Sequence, residues 1–399
     1  VWLDGGGGRD WSGTTSLIGW CEPDDVSLTF SAARREVTRH RSGGAEVVGD
    51  DIWEVLEEEV GAGGEWFGYL GYACRADLPA RPATDVPDAV WLRPSRVRVF
   101  EHRLLGRSLH LSGNATPERS TAHSVPAPYA AAFDRIQEAL HAGDTYEANL
   151  TYRLAIDAPA DPVETYLSLR STNPAPYAGY LQHDVQDHRA WLLSSSPERF
   201  ARIGEDGVIE ARPIKGTMPR GASAAADEAN AEHLRTDPKL RAENLMITDL
   251  LRNDLAIVCD PGSVEVPDLM RVESYPSVHQ LVTTVTGRLR PDVTTIAAIR
   301  ALFPAGSMTG APKLRTMELI AEAERDLGAP RGAYAGAFGR LTTTTADLGV
   351  VIRTLTTPDT TRWSIGTGGG ITVRSDLAEE WAETRWKAAR LIATVAGHT

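Results

Sequence analysis

The run from Ala190 to Thr217 limits the fold more than any other part of the chain. Ala190 to Ser194 and Phe200 to Ile203 read as one strand interrupted by Ser195-Ser196-Pro197, and Gly204-Glu205-Asp206-Gly207 turns the chain into a second strand, Val208 to Arg212. Strands joined by so short a turn pair antiparallel, because a parallel partner needs a long crossover. Ser95 to Leu111 repeats the pattern about Gly106, with Val97 and Val99 alternating before the turn and Leu109 and Leu111 after it. Strand-like runs thus come as hairpins more than in regular alternation with helices. The expected class is α+β with mainly antiparallel sheets.

The 399 residues allow two or three domains and a large core. No apolar run approaches the ~18 residues of a membrane span, and no charged-then-apolar leader opens the chain, so a cytoplasmic protein is expected. Cys21, Cys74 and Cys259 are too few and too scattered for a disulfide framework or a zinc site. A formal charge of −13 without a basic stripe argues against nucleic-acid and anionic-membrane partners. An anionic substrate would need local positive charge, from a metal ion or from a few cationic side chains gathered in one cleft.

Residues 1 to about 60 carry a Gly5-Gly6-Gly7-Gly8 loop and an acidic helix candidate from Asp50 to Val60. Glu65 to Tyr72 is aromatic with interleaved glycines, as in a buried strand meeting close backbone. From Ser112 to Tyr129 the composition shifts to Ser, Ala, Thr and Pro. The division expected is an N-terminal portion 1–112, an exposed connection 113–128 and a catalytic portion 129–399. The catalytic portion opens with a helix from Tyr129 to His141, closed by Gly143, and a strand from Tyr146 to Leu154.

Lysine is scarce. Of 41 Lys+Arg, only Lys215, Lys239, Lys313 and Lys387 are lysines. Arginine meets the surface-charge needs of this chain, so a lysine retained beside Gly or Pro can mark chemistry closed to guanidinium: an amine that loses its proton becomes a nucleophile or base. Lys215 sits in Pro-Ile-Lys-Gly-Thr, Lys313 in Gly-Ala-Pro-Lys and Lys387 in Glu-Thr-Arg-Trp-Lys, whereas Lys239 in Asp-Pro-Lys-Leu reads as a surface residue.

Four constellations can carry chemistry. With Glu205 and Asp206 as the hairpin loop, Glu198 stands opposite Pro213 and diagonal to Lys215, about 7–8 Å away on one face. The two either face a cleft or form a surface ion pair. In the helix candidate Leu240 to Leu255, Glu243 shares a face with Leu240, Ile247 and Leu250, and an acid on an apolar face needs a cation. Gly366-Thr367-Gly368-Gly369-Gly370 lets a ligand approach backbone amides, and Glu380, Glu383 and Lys387 follow on one helical face. Two carboxylates and an ammonium there suit a hydrated Mg²⁺ bridging to an anion, or else a solvated Glu383–Lys387 pair. Phe303 to Lys313 is a Gly/Pro loop entering a helix, with the look of an anion-binding helix start.

Taken in order, Ser-Pro-Glu198-Arg-Phe, Pro-Ile-Lys215-Gly-Thr, Glu243-Asn-Leu-Met-Ile-Thr-Asp-Leu-Leu-Arg-Asn-Asp254, Gly306-Ser-Met-Thr-Gly-Ala-Pro-Lys313 and Gly368-Gly-Gly-Ile with Glu380-Trp-Ala-Glu383-Thr-Arg resemble the chorismate-utilising enzymes. The likeness runs from about 130 to 399 and, more loosely, through the N-terminal portion. It implies two mainly antiparallel sheets packed together and surrounded by helices. The lysine of Pro-Ile-Lys-Gly-Thr is characteristic of the branch that makes 4-amino-4-deoxychorismate. The resemblance implies that Lys215, its pKa lowered by desolvation, attacks the chorismate ring as the 4-hydroxyl leaves, with Glu198 as general acid, and that ammonia then displaces the lysine. It makes Glu243 and Glu383 the Mg²⁺ ligands, with Glu380 at the metal through water, and Thr217, Gly216, Thr283, Arg353, Lys387 and the Gly368, Gly369 and Gly370 amides the substrate contacts. Ammonia would come from a separate glutamine amidotransferase subunit, or from ammonium salts.

Two positions discriminate among relatives. Water-adding members carry a lysine base where Glu147 stands, so Glu147 argues against hydroxylation, although ammonia-using relatives commonly have glutamine there. Anthranilate formers carry a histidine where Gln280 aligns, next to His279, and its absence fits a product that keeps the enolpyruvyl group. The alternatives are a large subunit forming 2-amino-2-deoxyisochorismate or anthranilate and, in another class, a catalytically silent subunit that docks a glutaminase.

Overall fold

The computed structural model describes residues 1–5, 14–102, 124–275 and 278–397. Hairpin pairing governs them: every strand pair among the described residues is antiparallel. A nine-stranded sheet runs from Gly310–Ala311 through Glu147–Asp157, Arg362–Ile371, Thr354–Thr357, Ala190–Ser196, Tyr177–His183, Trp2–Asp4 and Thr15–Trp20 to Arg96–Glu101. A twelve-stranded sheet runs from Ile214–Pro219 through Val278–Arg288, Val208–Arg212, Arg199–Ile203, Ala346–Val350, Ala337–Leu341, Trp66–Leu70, Ala89–Arg93, Val26–Ser31 and Glu36–Arg41 to Gly44–Gly49, with Glu265–Ser274 also paired to Val278–Arg288. Each sheet takes strands from both sides of the 113–128 connection.

Alternation along the strands decides what lies between the sheets. Leu181, Ala190 and Leu192 of the first sheet meet Tyr69, Val90, Leu92 and Phe338 of the second, whereas Trp191 and Leu193 pack with Tyr166, Ala388 and Leu391 of the helices Pro162–Thr172 and Leu377–Ala396. Glycine allows the close approach. A Cβ on Gly179 would lie 2.5 Å from the Phe338 ring, and one on Gly349 would lie 2.5 Å from Tyr177. Helices Ile52–Gly61, Thr295–Leu302 and Pro238–Ala256 add Trp53, Ile299 and Leu255 to the largest core cluster. The α+β expectation with two packed antiparallel sheets and surrounding helices is met.

Local signals account for the element ends. Asp51, Asp237 and Asp376 cap the starts of Ile52–Gly61, Pro238–Ala256 and Leu377–Ala396 with side-chain oxygens on backbone amides. Gly143, at φ 80, closes Ala127–Ala142 in the left-handed conformation that favours glycine.

Two features aim the later site. Ala190–Ser196 and Arg199–Ile203 belong to different sheets, which corrects the expectation of one interrupted strand: the chain crosses between sheets at Pro197-Glu198, where proline has no N–H to continue a ladder. Arg199 lies opposite Arg212 as expected, but a register shift between Arg199 and Arg202 puts Arg202 opposite Glu210 and Ile203 opposite Ile209, one residue off the register that a Glu205–Asp206 loop would set. Second, Val208–Arg212 and Ile214–Pro219 both run along Val278–Arg288, and a register shift between Ile214 and Thr217 leaves Lys215 and Gly216 bulged. Gly216 has φ 90, and its Cβ would come within 3.1 Å of Leu234.

Gly6 to Gly8, the second arm of the hairpin about Gly106 and most of the 113–128 connection lie outside the described residues. Among the described residues no helix is long and apolar enough to cross a membrane.

Candidate active site

A cavity of about 610 Å³ opens beside the bulge, a size that suits a small molecule. Lys215, Gly216 and Thr217 line it from the bulged strand and Glu243 from Pro238–Ala256. Gly368 and Gly370 contribute from Arg362–Ile371, while Glu380, Glu383 and Lys387 come from the C-terminal helix. The crossover adds Glu198, and Ser307 and Arg353 complete this part of the wall. Four separate constellations of the sequence therefore meet in one place.

Glu198 is 5% exposed, and Ser307 Oγ donates to its Oε1 at 2.6 Å. Burial pushes its carboxyl up to about 7, with the Ser307 hydrogen bond and the nearby Lys215 opposing. A carboxyl so tuned is half protonated near neutrality and suits an acid role. Ser307 is the useful part of the Phe303–Lys313 loop. Lys313 points elsewhere, donating to Asp254 Oδ2 at 2.7 Å and to the Leu302 carbonyl at 2.9 Å, which corrects the reading of this helix start as an anion site.

Lys215 is buried too and does not pair with Glu198. Its Nζ donates to Glu147 Oε1, and Glu147 is 1% exposed. Burial by itself depresses the lysine pKa, but the carboxylates of Glu147, Glu243 and Glu198 outweigh it, and the pKa stands above the ordinary lysine value. This corrects the expectation of an amine made neutral by desolvation: three acids share the low-dielectric site with it. Glu147 entered the sequence reading only as a discriminating position. Its signal was an acid at the start of the strand Glu147–Asp157, where a buried carboxylate demands a cation.

The remaining acids form the opposite wall. Glu380 accepts from Lys239 at 3.0 Å and from Ser375 at 2.7 Å, and Glu383 pairs with Lys387 at 2.9 Å. Lys239 is thus no ordinary surface residue, because its helix starts over the C-terminal one. Burial, and then the neighbouring Glu147 carboxylate, push Glu243 up to about 7. Among the described residues, no three His, Cys, Asp or Glu side chains stand together as a ready metal cage. The donor set nevertheless fits Mg²⁺, which takes one or two carboxylates and keeps its waters, and Glu243 faces acids that a cation would neutralise.

The expected substrate contacts divide. Arg353 lines the cavity at φ 49; burial and the neighbouring Arg390 lower its pKa to about 10, and among the described residues its guanidinium has no ion-pair partner. Lys387 Nζ donates to the Gly368 carbonyl at 3.0 Å. Arg362–Ile371 pairs along one edge through Ile371, while Thr354–Thr357 covers only Ser364 and Ile365 on the other, so among the described residues no strand pairs with Gly366 to Gly370 on that edge. Gly369 is off the wall, its Cβ direction facing Glu380 Oε2 at 3.0 Å. Thr283 is not brought to the cavity: fully buried, it donates to Asn244 Oδ1 at 2.5 Å and accepts the Met270 amide at 3.0 Å. Strand alternation sends Gln280 to the wall, while His279 bonds Asp227 and Ser274.

Two packed antiparallel sheets frame a cavity of small-molecule size lined by acids, lysines and bare glycine backbone. A family profile described as chorismate binding enzyme matches residues 24–393, and the chain belongs to that family. Among curated relatives it is 38% identical to an aminodeoxychorismate synthase of Streptomyces pristinaespiralis, over 94% of this chain and 58% of that one. It is 42% identical to aminodeoxychorismate synthase component 1 of Klebsiella aerogenes, over 66% of this chain and 57% of the relative. The chain spans about half the length of the curated relatives it matches. Anthranilate synthase component I from Streptococcus pneumoniae superposes with a TM-score of 0.76 at 26% identity, covering 94% of this chain and 92% of the other.

Proposed function

We propose that the chain aminates chorismate to 4-amino-4-deoxychorismate. The observation that carries this reading is the meeting of buried Lys215 and buried, Ser307-bonded Glu198 in one cavity, in a chain whose curated relatives include aminodeoxychorismate synthases. Lys215 nitrogen bonds to a ring carbon while the C4–O bond breaks, and Glu198 gives its proton to the departing hydroxyl, which leaves as water. Ammonia then bonds to C4, and the lysine leaves with the electron pair of its own C–N bond. Arg353, Lys387, Thr217 and the unpaired glycine edge hold the substrate carboxylates.

Glu243, Glu380 and Glu383 are the residues we assign to Mg²⁺, which when bound would neutralise the ring carboxylate. Ammonia is supplied by a glutamine amidotransferase partner, a reading supported by the component 1 name of the Klebsiella relative. The 113–128 connection is proposed as a boundary in sequence only, since both sheets draw strands from either side of it. Gln280 on the wall, with His279 turned away, supports a product that retains the enolpyruvyl group.

The test is incubation with chorismate, Mg²⁺ and an ammonium salt at alkaline pH, read by mass and ultraviolet spectra. A non-aromatic product with hydroxyl exchanged for amine, converted to 4-aminobenzoate by an added lyase, is expected. Anthranilate or a 2-amino isomer would overturn the regiochemistry. Chorismate left unchanged even with a glutaminase partner present would favour a silent docking subunit.

A further inference from the structure

Protonated Lys215 cannot attack, and one buried group in contact with it can relieve it. We propose that Glu147 is a catalytic residue: the base that takes the Lys215 proton when chorismate enters and returns it when the lysine is released. The inference rests on the covalent-lysine reading above.

Contact geometry selects Glu147. Three acids face the ammonium: Glu147 from Glu147–Asp157, Glu243 from Pro238–Ala256 and Glu198 from the sheet crossover. Only Glu147 is hydrogen-bonded to Nζ among the described residues. Glu198 is engaged by Ser307 and must supply a proton of its own to the leaving hydroxyl. Glu243 is itself faced by Glu147, Lys239 and Glu380, and belongs to the acid wall.

Glu147 reaches the cavity through Lys215. It is 1% exposed and does not line the cavity, whereas Lys215, its hydrogen-bond partner, does. Among the described residues its buried Oε2 has no hydrogen-bond partner, so its charge is answered by Lys215 through Oε1, and one proton crossing that bond neutralises both groups together. Gly370 makes room for the pair: a Cβ there would lie 2.4 Å from Glu147 Oε1 and 3.2 Å from Lys215 Nζ.

The proton balance closes. The Lys215 ammonium gives one proton to Glu147, and its freed lone pair forms the N–C bond while the hydroxyl leaves as water with the proton from Glu198. Ammonia displaces the lysine as a neutral amine, which takes back the proton held by Glu147. The new C4 ammonium returns a proton to Glu198. Net, chorismate and ammonia give aminodeoxychorismate and water, and no oxidant or other reactant is needed.

The test compares the unaltered chain with Glu147→Gln, a near-isostere that keeps a hydrogen-bonding partner for Lys215. Quenched mixtures with chorismate and Mg²⁺ but no ammonia are read by intact mass for the covalent adduct, and amination with an ammonium salt is followed from neutral to alkaline pH. Adduct formation by E147Q at neutral pH should fall by roughly 10²- to 10⁴-fold, as for loss of a general base, and recover as pH rises and solvent takes the proton instead. If E147Q forms adduct at neutral pH as fast as the unaltered chain, or faster, Glu147 only holds the charge of the lysine and the proposal is overturned. Should E147Q not fold, Glu147→Asp reads the same quantity, since it withdraws the carboxylate by one methylene; an unchanged neutral-pH rate would overturn the proposal equally. If the unaltered chain gives neither adduct nor aminated product, the covalent-lysine reading has failed and takes this one with it. Adduct in the unaltered chain with no change in the variant overturns this one alone.

Discussion

Removing the Ser307 hydroxyl should move the pH dependence of the reaction in one direction and by a calculable amount. Ser307 Oγ donates at 2.6 Å to Glu198, whose carboxyl burial lifts to about 7. Hydrogen bonds to charged groups contribute about 1.5–3 kcal/mol. One pKa unit corresponds to about 1.4 kcal/mol. Ser307→Ala withdraws that stabilisation from the carboxylate and leaves the neutral acid favoured, so the Glu198 pKa should rise by about 1–2 units. As general acid Glu198 must be protonated, and activity falls as pH rises through its pKa. The alkaline limb of kcat/KM, which reports the free enzyme, should therefore shift upward by that amount in S307A. The assay is amination with an ammonium salt coupled to a lyase, and Glu198→Gln, which has no proton to titrate there, is the control. A limb that stays in place in S307A, or moves down, would refute the assignment of Glu198 as the acid.

Three further outcomes follow from the same geometry. Because Glu198 binds its proton more tightly folded than unfolded, its contribution to stability is fully present below the ordinary 4.5 and is lost as pH rises through about 7. That loss is roughly 3 kcal/mol, so melting temperatures of E198Q should depend less on pH over this window and exceed those of the unaltered chain above it. Lys215→Ala should abolish amination and also destabilise by roughly 3–5 kcal/mol by stranding Glu147 beside Glu243, with Lys215→Ala/Glu147→Gln recovering much of it in denaturant titrations; equal stability of the two variants would argue against the pairing. Gly370→Ala should displace the Lys215–Glu147 pair at a cost of about 1–3 kcal/mol and lower kcat more than it raises KM; wild-type kinetics would show that the pair yields without consequence.

Sequence reading recovered what depends on neighbours along the chain. The helices expected at Asp50 to Val60 and Leu240 to Leu255, the glycine stop at Gly143 and the buried Glu243 all follow from turns and periodicity acting within a few residues. The ordered motifs also carried the family.

Tertiary structure alone decided the electrostatics and the aim of the site. Glu147 and Lys215 are 68 residues apart, and Ser307 and Glu198 are 109 apart; no local pattern pairs them, and only the sheet topology brings them together. The passage of the chain between sheets at Pro197-Glu198 was hidden because strands on either side have the same alternation whichever sheet receives them. Thr283 and Lys239 exchanged expected places for the same reason: membership of the cavity depends on which elements pack over them. The charge state of Lys215 is the clearest case. Its burial could be anticipated, but whether burial leaves an amine or an ammonium depends on how many carboxylates surround it, and that number is set by folding.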